Sequence, residues 1–317
     1  MKEKILILGA SSFAGFSFAQ FVIKKKNFKV YGTFSSFKTK KLMNFKKSDQ
    51  IKLIKLDLLK NPKKLLKIVR LIKPNIVIDF ASICLVNESW YNPNDYFKIN
   101  FNSKIDLIKN LKSLAFIRKY IYVGTPEIFG SSSKKIDEYA SNYSPTTPYA
   151  LSKLSMELLL DSYYKNFKSN IIITRFSNFY GRYQPFHRLI PKTIYKILQK
   201  QKFPLQGSGN SLRDFIFEED TNEALYLVIK KGKIGRKYHF ASGKLYEIKD
   251  IIKLICRMLK YRYADLVYKV PDRIGKDNTY NLSCLKTKKE LNWKNKNNLK
   301  EGIVKTIKFY KDILKYD

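Results

Sequence analysis

An alternation of two periodicities constrains this chain more than any other feature. Apolar runs bounded by turn residues fall at Lys4–Leu8, Phe28–Phe34, Ile51–Leu56, Asn75–Phe80, Lys119–Val123 and Asn170–Arg175. Helical patterns lie between them near 13–25, 62–73, 94–114 and 147–167. Strand and helix alternating this often predict an α/β fold, a doubly wound parallel sheet covered on both faces. In such sheets ligands bind in the crevice beyond the carboxyl ends of the strands. After about residue 177 the pattern loosens into helices near 188–201, 218–231, 247–260 and 299–314, with short extended pieces such as Lys237–Ala241. The expectation is a domain over 1–177 and a smaller C-terminal, substrate-side lobe over 178–317, interleaved with it and without a linker.

Composition removes several classes of function. With 317 residues, 44% hydrophobic and 15% aromatic, the chain can bury a sizeable core. The most apolar segment, Ile76 to Val86, is broken by Asp79, so no membrane span is expected. The opening "MKEKILILGASS" has too short an apolar run for a signal peptide and leads into a glycine turn, which suggests a first strand and a cytoplasmic protein. Cys84, Cys256 and Cys284 are far apart and lack CxxC spacing, so reduced thiols are expected, with no disulfide framework and no metal site. His187 and His239 show no partners from which a triad could be built. The formal charge of +36 is spread along the whole length and no nucleic-acid motif accompanies it. It reads as a solvated lysine-rich surface that steers anionic ligands.

Three stretches carry chemistry. "LILGASSFAG" closes the first strand and opens the first helix with Gly9, Ser12 and Gly15, a turn through which backbone N–H groups can approach a pyrophosphate. The second strand ends in Phe34, Ser35, Ser36 and, further on, Lys38, without the acidic residue that binds a ribose 2′-hydroxyl, and so tilts toward NADP. Asp57 can meet an adenine amino group or cap a turn. The fifth strand runs into "IYVGTPEIFG", bringing Thr125 and Glu127 to the carboxyl edge. In "SPTTPYALSKLSMELLL", Thr147 is a good N-cap and Pro148 a good first helical residue. Tyr149 and Lys153 then lie one turn apart, about 5–6 Å between Cβ atoms, and an ammonium there is expected to depress the phenol's pKa and make it a base. The plainer alternative is two exposed helix residues in a lysine-rich chain. Likewise Glu127 could pair one of many lysines.

Together with "LDL", "VIDFAS", "KINFNS", "RFSNFYGRYQ", "GSGNSLRDFIFEED", "DRIGKDNTYNLS" and "LNWKNKNNLKEGI", these motifs resemble, in order and over nearly the whole chain, the extended short-chain dehydrogenase/reductases of the epimerase/dehydratase type. The resemblance implies a Rossmann domain that binds NAD or NADP through Gly9, Ser12, Phe13, Ala14, Gly15, Ser35, Ser36, Asp57, Leu58, Ala81, Ser82, Asn100, Tyr149 and Lys153. It implies catalysis by Thr125, Glu127, Tyr149 and Lys153 on a nucleotide-diphosphate sugar held by Thr125, Asn178, Arg213 and Arg273. Thr125-x-Glu127 and "DRIGKD" are most similar to the nucleotide-sugar 4,6-dehydratases, in which the glutamate acts at C5. Pro126 stands where the dTDP-glucose enzymes carry an aspartate that acts as acid; the GDP-mannose enzymes also lack it. A 4-epimerase is the alternative, followed by a UDP-glucuronate decarboxylase and a non-catalytic dinucleotide-binding regulator. Arg213 has a second reading as a surface bridge to Asp214 or Glu219, and Arg175 reads as structural. Family members imply a homodimer; the stripe Leu151, Leu154, Leu158 and Leu159 reads as core first and interface second.

Overall fold

The structure is a computed structural model that describes residues 2–36, 50–272, 274–275 and 277–314. Its centre is a seven-stranded sheet, wholly parallel: β1 (Glu3–Leu8), β2 (Phe28–Phe34), β3 (Ile51–Lys55), β4 (Ile76–Asp79), β5 (Lys119–Gly124), β7 (Ile171–Phe176) and β11 (Lys237–Phe240). The spatial order is β11-β7-β5-β4-β1-β2-β3. Because side chains alternate along a strand, β1 feeds both layers. Ile5 and Ile7 meet Phe18 and Val22 of α1 (Phe13–Lys24) and Leu225 and Val228 of α8 (Glu218–Lys231). Leu6 and Leu8 share a second cluster with Ile68 of α2 (Lys64–Ile72), Leu107 of α5 (Ser103–Asn110) and Met156 of α6 (Pro148–Phe167). The order reverses between β1 and β4, which opens the crevice of a doubly wound sheet at their carboxyl ends.

A third cluster, with Ile194, Phe217, Ile252 and Ile303 at its centre, builds the smaller lobe. There β10 (Leu212–Phe217) runs between β8 (Asn178–Tyr180) and β12 (Leu245–Glu247), and β9 (Phe203–Gln206) pairs β13 (Val267–Val270). Helices α7 (Leu189–Leu198), α9 (Ile248–Met258) and α12 (Leu299–Leu314) pack around them, with short α10 (Tyr263–Leu266) beside α9. The ribbon β6 (Lys135–Ile136) with β14 (Asn281–Leu282), and α11 (Leu285–Leu291), tie the lobe back to the sheet.

Two placements differ from the sequence reading. Lys237–Phe240, expected in the smaller lobe, is the seventh strand of the large sheet, paired with β7. The single helix expected over 94–114 is broken: α3 (Glu88–Tyr91) and α4 (Pro93–Phe97) lead into one wide π turn, Lys98–Asn102, before α5. That turn rotates Asn100 inward, where Nδ2 donates to Ile83 O (3.1 Å) and Ser152 Oγ (2.9 Å) and Oδ1 accepts from Ile83 N–H (2.9 Å). Tertiary hydrogen bonds, not local periodicity, set this break. Among the described residues no helix is long and apolar enough to cross a membrane.

Candidate active site

β5 ends at Gly124, where the chain passes close under α6: a Cβ there would stand 2.3 Å from Glu157 Oε1 and 3.2 Å from Thr174 O. That close crossing lays the first turns of α6 over the strand end. Thr125 is extended and its Oγ1 accepts from Glu127 N–H at 3.3 Å, capping the short 3-10 turn Pro126–Phe129 in which Glu127 sits. Thr147 caps α6 as expected, Oγ1 accepting from Ala150 N–H at 3.1 Å. The two caps bring Thr125 and Tyr149 into a hydrogen bond, with Tyr149 only 7% exposed. One turn on, Lys153 is buried, donates to Val123 O at 2.8 Å and lies 4.3 Å from the centre of the Tyr122 ring. The reading of Tyr149 and Lys153 as two exposed residues is therefore excluded.

The electrostatics run against the sequence expectation. Burial first, then the neighbouring Glu127 and Cys84, push the Tyr149 phenol well above 10, while the Thr125 hydrogen bond and Arg188 pull it down. Lys153 falls from 10.5 to about 7, again from burial first and then from the neighbouring Lys104. Desolvation is the largest cause of both shifts, so the protein by itself keeps the phenol protonated.

At the β1–α1 turn, Gly9 adopts φ +75° and lies so close to β4 that a Cβ would stand 3.0 Å from the Ala81 backbone. Ser12 caps α1, its Oγ accepting from Gly15 N–H at 3.1 Å. The next N–H groups, of Phe13 and Ala14, donate to no group among the described residues. That leaves two donors at a helix N-terminus for an anion. Asp57 caps its turn, Oδ1 accepting from Leu59 and Lys60 N–H. Leu58 is buried, Ala81 and Ser82 half-buried, and Ser35 and Ser36 exposed at the end of β2. Lys38 lies outside the described residues, as does Arg273.

On the substrate side, Asn178 Oδ1 accepts from Tyr280 OH at 2.7 Å. Arg213 is not a surface residue bridging Asp214 or Glu219. It is buried, stacks 4.7 Å from the Tyr280 ring centre and donates to the carbonyls of Leu212, Asn278 and Asp277. Asp214 instead accepts from Ser177 Oγ and from N–H groups of 242–244. Arg175 is structural, at 2.6 Å from Glu157. Its Nη1 meets His239 Nε2 at 3.0 Å, which corrects the expectation that His239 lacks a partner.

Sequence reasoning missed Arg188 and Cys84. Arg188 Nη2 donates to Cys84 Sγ at 2.8 Å and Cys84 O at 3.2 Å. Cys84 above all, and then Tyr149 and Glu127 against the opposing effect of burial, hold its guanidinium above the usual range. One signal was available: Arg188 is the N-cap of α7, the helix end at which a cation is unfavourable unless an anion faces it. Among the described residues no cluster of potential metal ligands is present.

Comparison with known proteins gives a consistent picture. A family profile described as GDP-mannose 4,6 dehydratase matches residues 6–306. The dTDP-D-glucose 4,6-dehydratase of Homo sapiens is 32% identical over 245 residues, covering 76% of this chain and 69% of that one. The dTDP-glucose 4,6-dehydratase of Haemophilus influenzae is 30% identical over 259 residues, 75% of this chain and 76% of that one. Among solved structures, the Bacillus anthracis dTDP-glucose 4,6-dehydratase in complex with NAD superposes with a TM-score of 0.89 at 23% identity, covering 99% of this chain and 98% of the other. A UDP-glucuronic acid 4-epimerase from Bacillus cereus, with UDP-glucuronic acid and NAD, gives the same TM-score at 23% identity over 98% and 99%.

Proposed function

The chain belongs to the GDP-mannose 4,6 dehydratase family, and from that premise we propose that it is a nucleotide-sugar 4,6-dehydratase working with a bound nicotinamide dinucleotide, NAD in preference to NADP. The observation that carries the reading is Glu127: a half-buried carboxylate on the same turn as Thr125, close enough for its charge to act on Tyr149. A 4-epimerase needs the threonine, the tyrosine and the lysine but has no use for that carboxylate. The preference for NAD is supported by the NAD found with the structural relatives. The open N–H groups of Phe13 and Ala14 suit a dinucleotide's pyrophosphate.

Once bound, the dinucleotide supplies the hydride acceptor and, when oxidised, a positive charge beside the phenol. Tyr149 takes the proton of the sugar C4 hydroxyl, and Thr125 hydrogen-bonds the same oxygen. Lys153 holds the dinucleotide side of the site. The 4-ketone makes the C5 hydrogen acidic, and Glu127 removes it as water leaves C6. Return of the hydride taken from C4 to C6, with return of a proton to C5, then gives a 4-keto-6-deoxy sugar with no net change of redox state. Asn178, Arg213, Arg273 and, in addition to the residues read from the sequence, Arg188 serve the substrate diphosphate; Arg213 keeps Nε–H and one Nη2–H uncommitted among the described residues. A second copy of the chain completes the assembly through α6.

The test is incubation with a panel of nucleotide-sugars in heavy water, followed by product mass. Loss of water with deuterium at C5 is expected. Unchanged mass with no deuterium makes the chain an epimerase, loss of carbon dioxide a decarboxylase, and no turnover of any sugar would leave a dinucleotide-binding regulator.

A further inference from the structure

Beneath the catalytic lysine lies a second lysine that the reaction above does not use. Lys104 of α5 is 0% exposed, and a charge at that depth persists only when paired. Its partner is Asp79, the last residue of β4, at 2.8 Å. Asp79 Oδ2 also accepts from Tyr120 OH at 2.7 Å. Between them the pair grips one residue from both sides: Lys104 Nζ donates to Ala81 O at 2.6 Å and Asp79 Oδ1 accepts from Ala81 N–H at 3.0 Å. Ala81 is the residue against which Gly9 packs. On the other flank Lys104 Nζ lies 5.6 Å from the Tyr122 ring centre, and Lys153 Nζ lies 4.3 Å from the same ring. Two cations thus share one aromatic ring, and the ion pair turns its positive member toward Lys153.

We propose that Lys104, held by Asp79, is a positioning residue that acts on Lys153 across the Tyr122 ring, repelling its charge and so setting the pH range over which Lys153 is an ammonium. The inference rests on the reading of Lys153 as the lysine on the dinucleotide side of the site. The remaining groups that face Lys153 are Cys84 after β4, Tyr122 on β5, and Tyr149 and Glu157 on its own helix, with Glu157 paired to Arg175 of β7. Burial is the largest influence on Lys153 and Lys104 the largest charge; Asp79, Glu157 and Cys84 oppose it.

The experiment measures the affinity of the protein for NADH, by the fluorescence of NADH itself, across the neutral pH range. Affinity falls as Lys153 loses its proton, because NADH carries net negative charge. Lys153→Met is expected to abolish that fall. Asp79→Asn/Lys104→Met, which removes both charges and orphans neither, is expected to move its midpoint up by roughly a few tenths of a pH unit, because the opposing charge of Asp79 leaves with that of Lys104. Tyr122→Leu removes a ring that favours both ammoniums and is expected to move the midpoint down. Lys104→Arg keeps the charge and is expected to leave it in place; a displacement there equal to that of the double variant shows disturbed packing and overturns the inference. A fall that survives in Lys153→Met sinks the assignment of Lys153 itself. A fall lost there, yet unmoved in the folded double variant, overturns the role of Lys104 and leaves the proposed reaction standing. Should the double variant fail to fold by circular dichroism, Tyr122→Leu decides, and an unmoved midpoint overturns the inference.

Discussion

Glu127 and Tyr149 show how far a residue's role is set by its neighbours. Both are close to Thr125, one through a turn cap and one through a hydrogen bond, yet in the proposed reaction they serve different bonds of the substrate. Glu127→Gln keeps the turn and removes only the base. Oxidation at C4 is expected to continue, seen as NADH absorbance on mixing with substrate, while water loss and deuterium entry at C5 fall by about 10²–10⁴-fold, the usual worth of a positioned base. Parallel loss of both signals would mean that Glu127 holds the fold of the turn instead. Tyr149→Phe is expected to abolish the NADH signal itself. These residues are legible in the sequence because their signals are local: a strand end, a Thr–Pro helix start, a spacing of four. Arg213, Asn100 and His239 are not, since their partners are atoms such as Asn278 O and Ile83 O that only the folded chain brings near. The direction of the Tyr149 shift was also illegible, because spacing conveys proximity and says nothing of burial.

At the level of elements, the agreement is closest where one helix or strand is specified by its own pattern. α12 runs Leu299–Leu314 and β2 Phe28–Phe34, as their periodicities predict. Agreement fails where another element intervenes, as at the π turn around Asn100. The start of α8 is a case in which two elementary effects compete. Its first turn carries Glu218, Glu219 and Asp220, and a carboxylate there gains about 0.3–1 kcal/mol from the helix dipole. Glu218, however, is wedged against Gly181 and only 3% exposed, its Oε2 without a hydrogen-bond partner. Burial lifts its carboxyl from 4.5 to about 7 despite Arg182 at 2.6 Å. Desolvation wins, by on the order of 3 kcal/mol once the group ionises. A raised acid leaves the fold most stable below the unfolded-state pKa, and that contribution is lost as pH rises through the folded value. Stability should therefore decline between about pH 4.5 and 7 through this one group. Glu218→Gln is expected to remove that part of the decline and to unfold at higher denaturant than the parent at about pH 8, with little difference at about pH 5. Equal midpoints at both pH values would mean that Glu218 is already ionised at little cost.

The whole molecule is held across its lobes by a chain that returns to its first sheet. β11 closes the large sheet from residue 237 onward, and α8 lies on α1 with Asn222 Nδ2 donating to Ser17 Oγ at 2.9 Å. No composition or spacing in the first half announces a strand supplied so late. The dimer proposed above would use α6, where the stripe read as core divides. Leu154 is buried, but Leu151 and Leu158, two turns apart on one face, are 46% and 48% exposed. Single exposed leucines are ordinary; two in register on a helix whose other face is already packed form a seam that a second copy can cover. The cost is electrostatic, because each copy carries 62 Lys and Arg against 26 Asp and Glu. Like charges that far out of balance repel until salt screens them within roughly 10 Å at 0.1 M. Dimerisation measured by sedimentation should accordingly strengthen as salt rises from low to physiological levels, the reverse of what nucleic-acid binding by the same charge would show. Leu151→Lys/Leu158→Lys places two more cations per copy in the seam and is expected to leave a monomer that still binds NADH. A wild-type protein that sediments as a monomer at physiological salt, or a variant that remains dimeric, removes α6 as the interface.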